Sequence, residues 1–145
     1  MRWDYEAIAK LRDYSARKSS IGNIHAEIAR LEEDYGRIRS ATTDATPVQG
    51  GGNTREDMLL SNICLREELQ KQLEDTKRWI AIVDNALDNL DKEERLILER
   101  FYISPHKGNV DRLCDELAIE KAGVYKRKDK ALRKFTMTFY GKVES

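Results

Sequence analysis

The residues best suited to do chemistry in this 145-residue chain are the lysines and arginines of one segment near the C-terminus. Between residues 121 and 142 there are eight Lys/Arg and a single acid, Asp129, which gives a local charge of +7. Cations grouped on one helix attract the phosphates of nucleic acids. An isolated run of this kind is more often the solvated face of a helix, so the surrounding elements must decide between the two interpretations.

The charge of the whole chain does not reveal this basic segment. Residues 1–90 hold 13 Lys/Arg against 16 Asp/Glu, a net charge of −3, whereas residues 91–145 hold 13 against 10, a net charge of +3. Charged residues make up 36% of the chain and only two prolines occur, a composition typical of long charged helices. The asymmetry places the phosphate-binding chemistry in the C-terminal third.

The pattern on either side of residue 120 predicts two helices joined by a tight turn. A short helix is predicted over residues 110–117, and a longer basic helix from Lys121 to about Tyr140, with Gly141 as its stop. Only residues 118–120 separate the two. A short helix, a three-residue turn and a basic second helix form the helix-turn-helix arrangement.

For this arrangement to bind DNA, one face of the basic helix has to pack while the opposite face stays free. We expect Leu113, Leu117 and Ile119 to anchor the short helix on an apolar face of the basic helix. That apolar face consists of Val124, Ala131 and Leu132. The opposite face can then enter a major groove, which is about 12 Å wide.

The first turn of the basic helix is expected to face the bases and its later residues the phosphates. The predicted DNA-contacting residues are Lys121, Ala122, Tyr125, Lys126, Arg127, Lys128, Lys130, Arg133 and Lys134. Within this set, Arg127 and Lys128 are best placed to turn away from the DNA. Tyr125 either stacks on a base edge or packs inward, and the sequence leaves both interpretations open.

Two long helices are predicted ahead of this region, over residues 3–39 and 54–89, joined by the glycine-rich loop 41–53 that contains Gly50–Gly52. Their apolar residues recur in alternating steps of three and four, which predicts an antiparallel coiled-coil hairpin. Ser19, Ser20 and Gly22 predict a kink or break in the first helix.

The predicted seam of the first helix is Tyr14, Arg17, Ile21, Ile24, Ile28, Leu31, Tyr35 and Ile38. That of the second is Leu59, Asn62, Arg66, Leu69, Leu73, Thr76, Ile80, Val83, Leu87 and Leu90. The apolar stripes serve either as internal core or as a surface for self-association.

No pattern in the chain indicates an enzyme, a cofactor or a metal site. Cys64 and Cys114 form no CxxC motif, and His25 and His106 complete no zinc-ligand spacing, so two buried free thiols are expected rather than a disulfide. No window approaches 18 uncharged apolar residues, and the N-terminus has no apolar signal core. We therefore expect a cytoplasmic protein with no membrane contact and no catalytic residues.

Two segments resemble region 4 of bacterial primary sigma factors. LDKEERLILERF at residues 90–101 is similar to the first helix of that region, and KALRKF at residues 130–135 to the end of its recognition helix. Asp91 and Glu94 predict a capping box at the start of the first of these helices. The sequence departs from the usual helix-turn-helix pattern at Ala118, where glycine is common, and at Glu120, where serine or threonine caps the helix.

The complete layout resembles the RinA/ArpU family of phage late-gene transcriptional activators. The resemblance implies an all-α fold, with a long antiparallel coiled-coil hairpin over residues 1–90 followed by a sigma-region-4-like three-helix helix-turn-helix domain over residues 91–145. It also implies a regulator that binds promoter DNA with host RNA polymerase in the bacterial cytoplasm. Self-association through the hairpin is one of the two roles that the apolar stripes leave open. The alternatives are a DNA-binding phage assembly component, such as a small packaging (terminase) subunit, and an adaptor whose basic helix binds an acidic protein.

Overall fold

The computed structural model of the chain describes residues 3–41 and 54–141, and all of the regular elements in these ranges are helical. The protein is therefore all-α, as predicted. The helices are α1 (Trp3–Ser40), α2 (Thr54–Asp88), α3 (Lys92–Leu98, continued by the π-helical turn Glu99–Ile103), α4 (Asn109–Leu117) and α5 (Lys121–Tyr140). The predicted bounds agree with these to within one or two residues. The predicted loop, with Gly50–Gly52, lies outside the described residues except for Ala41.

The chain divides into two compact units. One consists of the described residues of Met1–Lys18 and Arg78–Ser145, and the other of those of Ser19–Lys77. Both long helices contribute to each unit. In the unit Ser19–Lys77 the side chain of Asn62 donates a hydrogen bond to the carbonyl of Leu31. Arg55, seven residues before Asn62, donates to the carbonyl of Ile38, which lies seven residues after Leu31. The two helices are therefore antiparallel within this unit.

In the unit Ser19–Lys77 the predicted seam buries Leu31, Asn62 and Leu73, and its other predicted positions are half-buried. Two of its polar positions, Asn62 and Arg66, are satisfied by hydrogen bonds and a ring contact. Asn62 Nδ2 donates to the Leu31 carbonyl at 2.8 Å, and Arg66 Nε donates to Asn62 Oδ1 at 2.8 Å. The Arg66 guanidinium also lies 5.0 Å from the ring centre of Tyr35. A buried amide with both partners present adds specificity to the pairing without an unsatisfied group.

The sequence predicts a kink or break at Ser19, Ser20 and Gly22. The break is wrong, because α1 is one helix from Trp3 to Ser40, and the kink stays a prediction. Glycine costs a helix interior about 1 kcal/mol relative to alanine. Ile21 and Ile24 flank Gly22 and are half-buried, so their packing offsets this cost.

In the other unit, the ends of α1 and α2 pack with the three shorter helices. Tyr14 of α1 donates a hydrogen bond from its hydroxyl to Asp84 of α2. Burial, followed by this bond to a carboxylate, raises the pKa of Tyr14 to about 12. The fully buried side chains of this unit include Leu11, Val83, Leu87, Ile97, Leu98, Leu113, Val124, Leu132 and Phe135.

The predicted capping box at the start of α3 is confirmed. The Glu94 backbone N–H donates to Asp91 Oδ1 at 2.8 Å, and the Asp91 N–H donates to Glu94 Oε1 at 3.0 Å. Two of the N–H groups that a helix start leaves without partners are thereby satisfied. This fixes the point at which the chain enters the helix-turn-helix region.

Both cysteines are free thiols, as expected, but the prediction that both are buried is wrong. Cys64 is exposed because it lies outside the α2 seam, two residues after Asn62. Cys114 is half-buried and packs against the core of the helix-turn-helix region. No helix in the described residues is long and apolar enough to cross a membrane.

Candidate nucleic-acid interface

The turn between α4 and α5 begins at Ala118, whose backbone is left-handed with φ 54° and ψ 46°. The next N–H, that of Ile119, donates to the carbonyl of Cys114 at 3.2 Å and closes the end of α4. A residue with a Cβ in this conformation costs about 1–2 kcal/mol, which is why glycine is common here. The structure therefore has the turn geometry of a helix-turn-helix at the residue where the sequence departs from the usual pattern.

A small apolar core connects α3, α4 and α5. Ile97, Leu113 and Val124 are fully buried at its centre, and Leu117 and Ile119 pack against it. This confirms the predicted anchoring of the short helix on Val124. The other two residues predicted for the apolar face of α5, Ala131 and Leu132, are also buried.

Gly123 lies on the side of α5 that faces the turn. A Cβ at this position would contact the side chain of Ile119 at 3.6 Å, which is an ordinary van der Waals distance. Its missing side chain therefore faces the protein's own turn.

The side of α5 opposite the buried Val124 and Phe135 is exposed and basic. Ala122, Lys126, Lys130 and Arg133 follow one another at steps of four, four and three residues, and all four are exposed. Lys121 is exposed in the first turn. Among the residues that the structure describes, no ion pair involves Lys121, Lys126 or Lys130. These three lysines present unpaired positive charge to solvent.

Two other predicted contact residues of α5 pair with acids of α3. Arg127 forms an ion pair with Glu93, and Lys134 Nζ lies 3.0 Å from Glu94 Oε1. Each cation remains about half exposed, so the pairs contribute little stability by themselves. They orient the two side chains towards α3.

Lys128 also turns inward, onto an aromatic pair. Its Nζ lies 5.4 Å from the ring centre of Phe101 and 5.5 Å from that of Tyr125, and its side chain is only 19% exposed. The carboxylate of Asp129 lies 3.4 Å from the same ammonium. A cation held over two aromatic faces and next to a carboxylate is poorly placed to reach a phosphate.

Two clefts flank the exposed side of α5. The N-terminal cleft, of about 370 Å³, is lined by Arg100, Phe101, Pro105, His106, Gly108, Asn109, Val110, Asp111, Lys121 and Tyr125. The C-terminal cleft, of about 590 Å³, is lined by Asn89, Lys130, Arg133, Lys134, Met137 and Thr138. Sequence reasoning did not find Arg100, His106, Asn89 and Thr138, because they come from other turns and helices and carry no local signal.

The charges of the N-terminal cleft largely cancel. Arg100 pairs with Glu116 at 3.1 Å, and Asp111 lies in the same lining as Lys121. Asn109 donates from Nδ2 to the carbonyl of Arg100, while its buried Oδ1 has no hydrogen-bond partner. The acids Glu116 and Asp111 thus reduce the net positive charge around this cleft.

The described ranges 3–41 and 54–141 contain no group of three or more His, Cys, Asp or Glu side chains able to hold a metal ion. The features that are present define a class: an all-α protein in which α3, α4 and α5 share a small apolar core and α5 carries an exposed basic side.

The model of the family described as a protein of unknown function (DUF1492) matches residues 37–136. This range reaches from the last turn of α1 almost to the end of α5, and the chain belongs to that family. No curated protein and no solved structure matches the chain.

Proposed function

We propose that this protein is a sequence-specific DNA-binding transcriptional regulator that places α5 in a major groove. The observation that carries the proposal is the exposed side of α5, where Lys126 and Lys130 have no ion partner in the part of the chain that the structure describes. Lys121, in the first turn of the same helix, likewise has no ion partner among the described residues. An ordinary solvated helix face mixes charges of both signs, and this helix contains one acid in 20 residues, Asp129. Such a face favours a polyanion.

The dimensions of α5 support this docking. An α-helix with its side chains is about 10–12 Å across, which fits the roughly 12 Å width of the major groove. The lysines at 126 and 130 then reach the groove and its edge while Lys121, Ala122 and Tyr125 face the bases. Lys128, Arg127 and Lys134 contribute less, because they are engaged with aromatic rings or acids.

The biological role within this proposal comes from the resemblance to RinA/ArpU activators and to sigma region 4. It makes the protein an activator of phage or prophage late genes that works with host RNA polymerase in the bacterial cytoplasm. The agreement of the two motif segments in order and spacing, at residues 90–101 and 130–135, supports it.

The proposal is tested by the salt dependence of duplex DNA binding. Replacing Lys126 and Lys130 together by glutamine should lower affinity and reduce the slope of log K against log salt by about two. The matched control replaces Lys71 and Lys77, two exposed lysines of α2, by glutamine. Equal binding by the two double variants would show that α5 is not the docking face, and binding of an acidic protein instead of DNA would favour the adaptor.

A second candidate, a DNA-binding assembly component such as a small packaging subunit, is favoured by one observation. Met58, Leu60 and Leu65 on α2 are large apolar side chains exposed in the unit Ser19–Lys77. Exposed apolar groups of this size promote self-association. The mass of the protein in solution separates the candidates, since a closed ring of many copies supports packaging and a monomer or dimer supports regulation.

A further inference from the structure

The C-terminal cleft lies between the last turns of α5 and Asn89, the residue that follows α2. It is a shallow concavity of about 590 Å³, too large for a single small anion to fill. Its lining combines three cations with one exposed apolar side chain, Met137, which is 50% exposed. A sugar–phosphate strand has the same alternation of charged phosphates and apolar sugar carbons.

The lining of this cleft is positively charged. Lys130, Arg133 and Lys134 line it, and no lining residue is acidic. Lys134 forms an ion pair with Glu94, yet 46% of the Lys134 side chain remains exposed. The N-terminal cleft offers the internal comparison, because acids accompany its cations. Of the two, the C-terminal cleft is the one whose lining contains no acid, so it attracts an anion more strongly.

A fixed amide completes the lining. Asn89 Nδ2 donates to Thr138 Oγ1 at 3.0 Å, and Thr138 Oγ1 in turn donates to the Lys134 carbonyl at 3.0 Å. This chain of hydrogen bonds orients the Asn89 amide and leaves its second N–H to donate. Neutral amide donors next to lysine and arginine are common partners of DNA phosphates.

We propose that the C-terminal cleft is a phosphodiester-binding subsite, which holds the duplex DNA backbone bordering the groove entered by α5, with Asn89 donating to a phosphate oxygen. The subsite rests on the proposed function and extends the contact surface from α5 to the end of α2. Lys130 belongs to both surfaces, so a strand bound in the cleft continues the line of cations along α5.

The test uses the full chain and a fluorescein-labelled mixed-sequence duplex of about 30 base pairs, three helical turns. Asn89→Asp puts a like charge beside the phosphate with little change in side-chain volume, and we expect a loss of affinity of about tenfold or more. Asn23→Asp is the matched control, since it makes the same change in net charge at an exposed residue of α1. Asn89→Ala, which keeps the charge, should lose less affinity and leave the salt slope unchanged.

The outcomes separate the two proposals. If the wild-type protein binds the duplex and Asn89→Asp binds no worse than Asn23→Asp, the subsite is overturned while the proposed function stands. If the wild-type protein binds no duplex at low salt, both fail. Helical circular dichroism and thermal midpoints of each variant show whether a loss of binding reflects unfolding. If Asn89→Asp is unfolded, the duplex affinities of Asn89→Ala and Lys130→Gln are measured instead, with Lys71→Gln as the control. If both Asn89→Ala and Lys130→Gln bind the duplex with wild-type affinity, the subsite is overturned.

Discussion

Phe101 and Tyr125 meet edge to face, with ring centres 5.8 Å apart and ring planes at 66°. Phe101 lies in the π-helical turn that continues α3, and Tyr125 lies in the second turn of α5. Tyr125 nevertheless remains 44% exposed. The two interpretations that the sequence left open are therefore compatible, because one edge of the ring packs inward while the rest faces solvent.

This contact predicts that Phe101 positions Tyr125 for DNA. Phe101→Leu removes the aromatic edge and should weaken discrimination between DNA sequences by several-fold, while the salt slope stays unchanged because no cation is lost. Competition between labelled and unlabelled duplexes of different sequence measures this. The control is Phe139→Leu, which alters an aromatic cluster at the other end of α5. Equal discrimination by both variants would rule out a positioning role.

Ala118 predicts a stabilising substitution. Its left-handed backbone strains a residue with a Cβ, so Ala118→Gly should raise the free energy of unfolding by about 1 kcal/mol. Ala81→Gly, at an exposed position inside α2, is the control and should lower it by a similar amount. Urea unfolding followed by circular dichroism measures both. A destabilised Ala118→Gly variant would contradict the assigned turn geometry.

Glu120 predicts a second gain in stability. It occupies the N-cap of α5 with an extended backbone, φ −75° and ψ 160°, and its side chain makes no capping hydrogen bond. Glu120→Ser provides an acceptor for an unpaired N–H of the first turn and should stabilise the fold by about 0.5–1 kcal/mol. The opposite change at a working cap, Asp91→Ala, should cost about 1 kcal/mol. If Glu120→Ser and Asp91→Ala unfold at similar midpoints, Glu120 is not the weaker of the two caps.

Gly123→Ala tests whether the missing side chain at this position matters for packing against Ile119 or for close approach of DNA to the backbone. The new Cβ would contact Ile119 at ordinary distance, so the gain in helix propensity, up to about 1 kcal/mol, should appear as higher stability. Gly22→Ala is the control, because no atom lies within 4 Å of a Cβ there. DNA affinity should be the same for both variants. A selective loss of affinity at position 123 would mean that the DNA approaches this part of the backbone.

Tyr14 predicts a loss of stability at high pH. Its pKa rises from 10.0 to about 12 in the folded protein, so between these values the unfolded chain has released a proton that the folded chain retains. The contribution of this group is fully present below pH 10 and is lost as the pH rises towards 12. Tyrosinate absorbance, taken as wild type minus Tyr14→Phe, should show a midpoint near 12. A midpoint near 10 would contradict the buried hydrogen bond to Asp84.

Local patterns determined much of this protein. The alternating steps of three and four predict the seams of α1 and α2 because a helix repeats its faces at that interval whatever it packs against. The capping box of Asp91 and Glu94 is likewise complete within four residues. Gly141 ends α5 with φ 80°, a conformation that glycine adopts without strain. Whether residues 1–90 and 91–145 behave as separate domains, and whether the nine selected residues contact DNA, stays a prediction.

Only the tertiary structure decided which cations of α5 are available. Helix periodicity assigns Arg127, Lys128 and Lys134 a direction but does not reveal that α3 presents Glu93, Glu94 and Phe101 to them. The C-terminal cleft arises in the same way, because it joins α5 to a residue at the end of α2, 41 positions before Lys130 in the chain. A single helix sets the spacing of its own side chains, whereas their charge balance depends on neighbours that the fold brings from distant parts of the sequence.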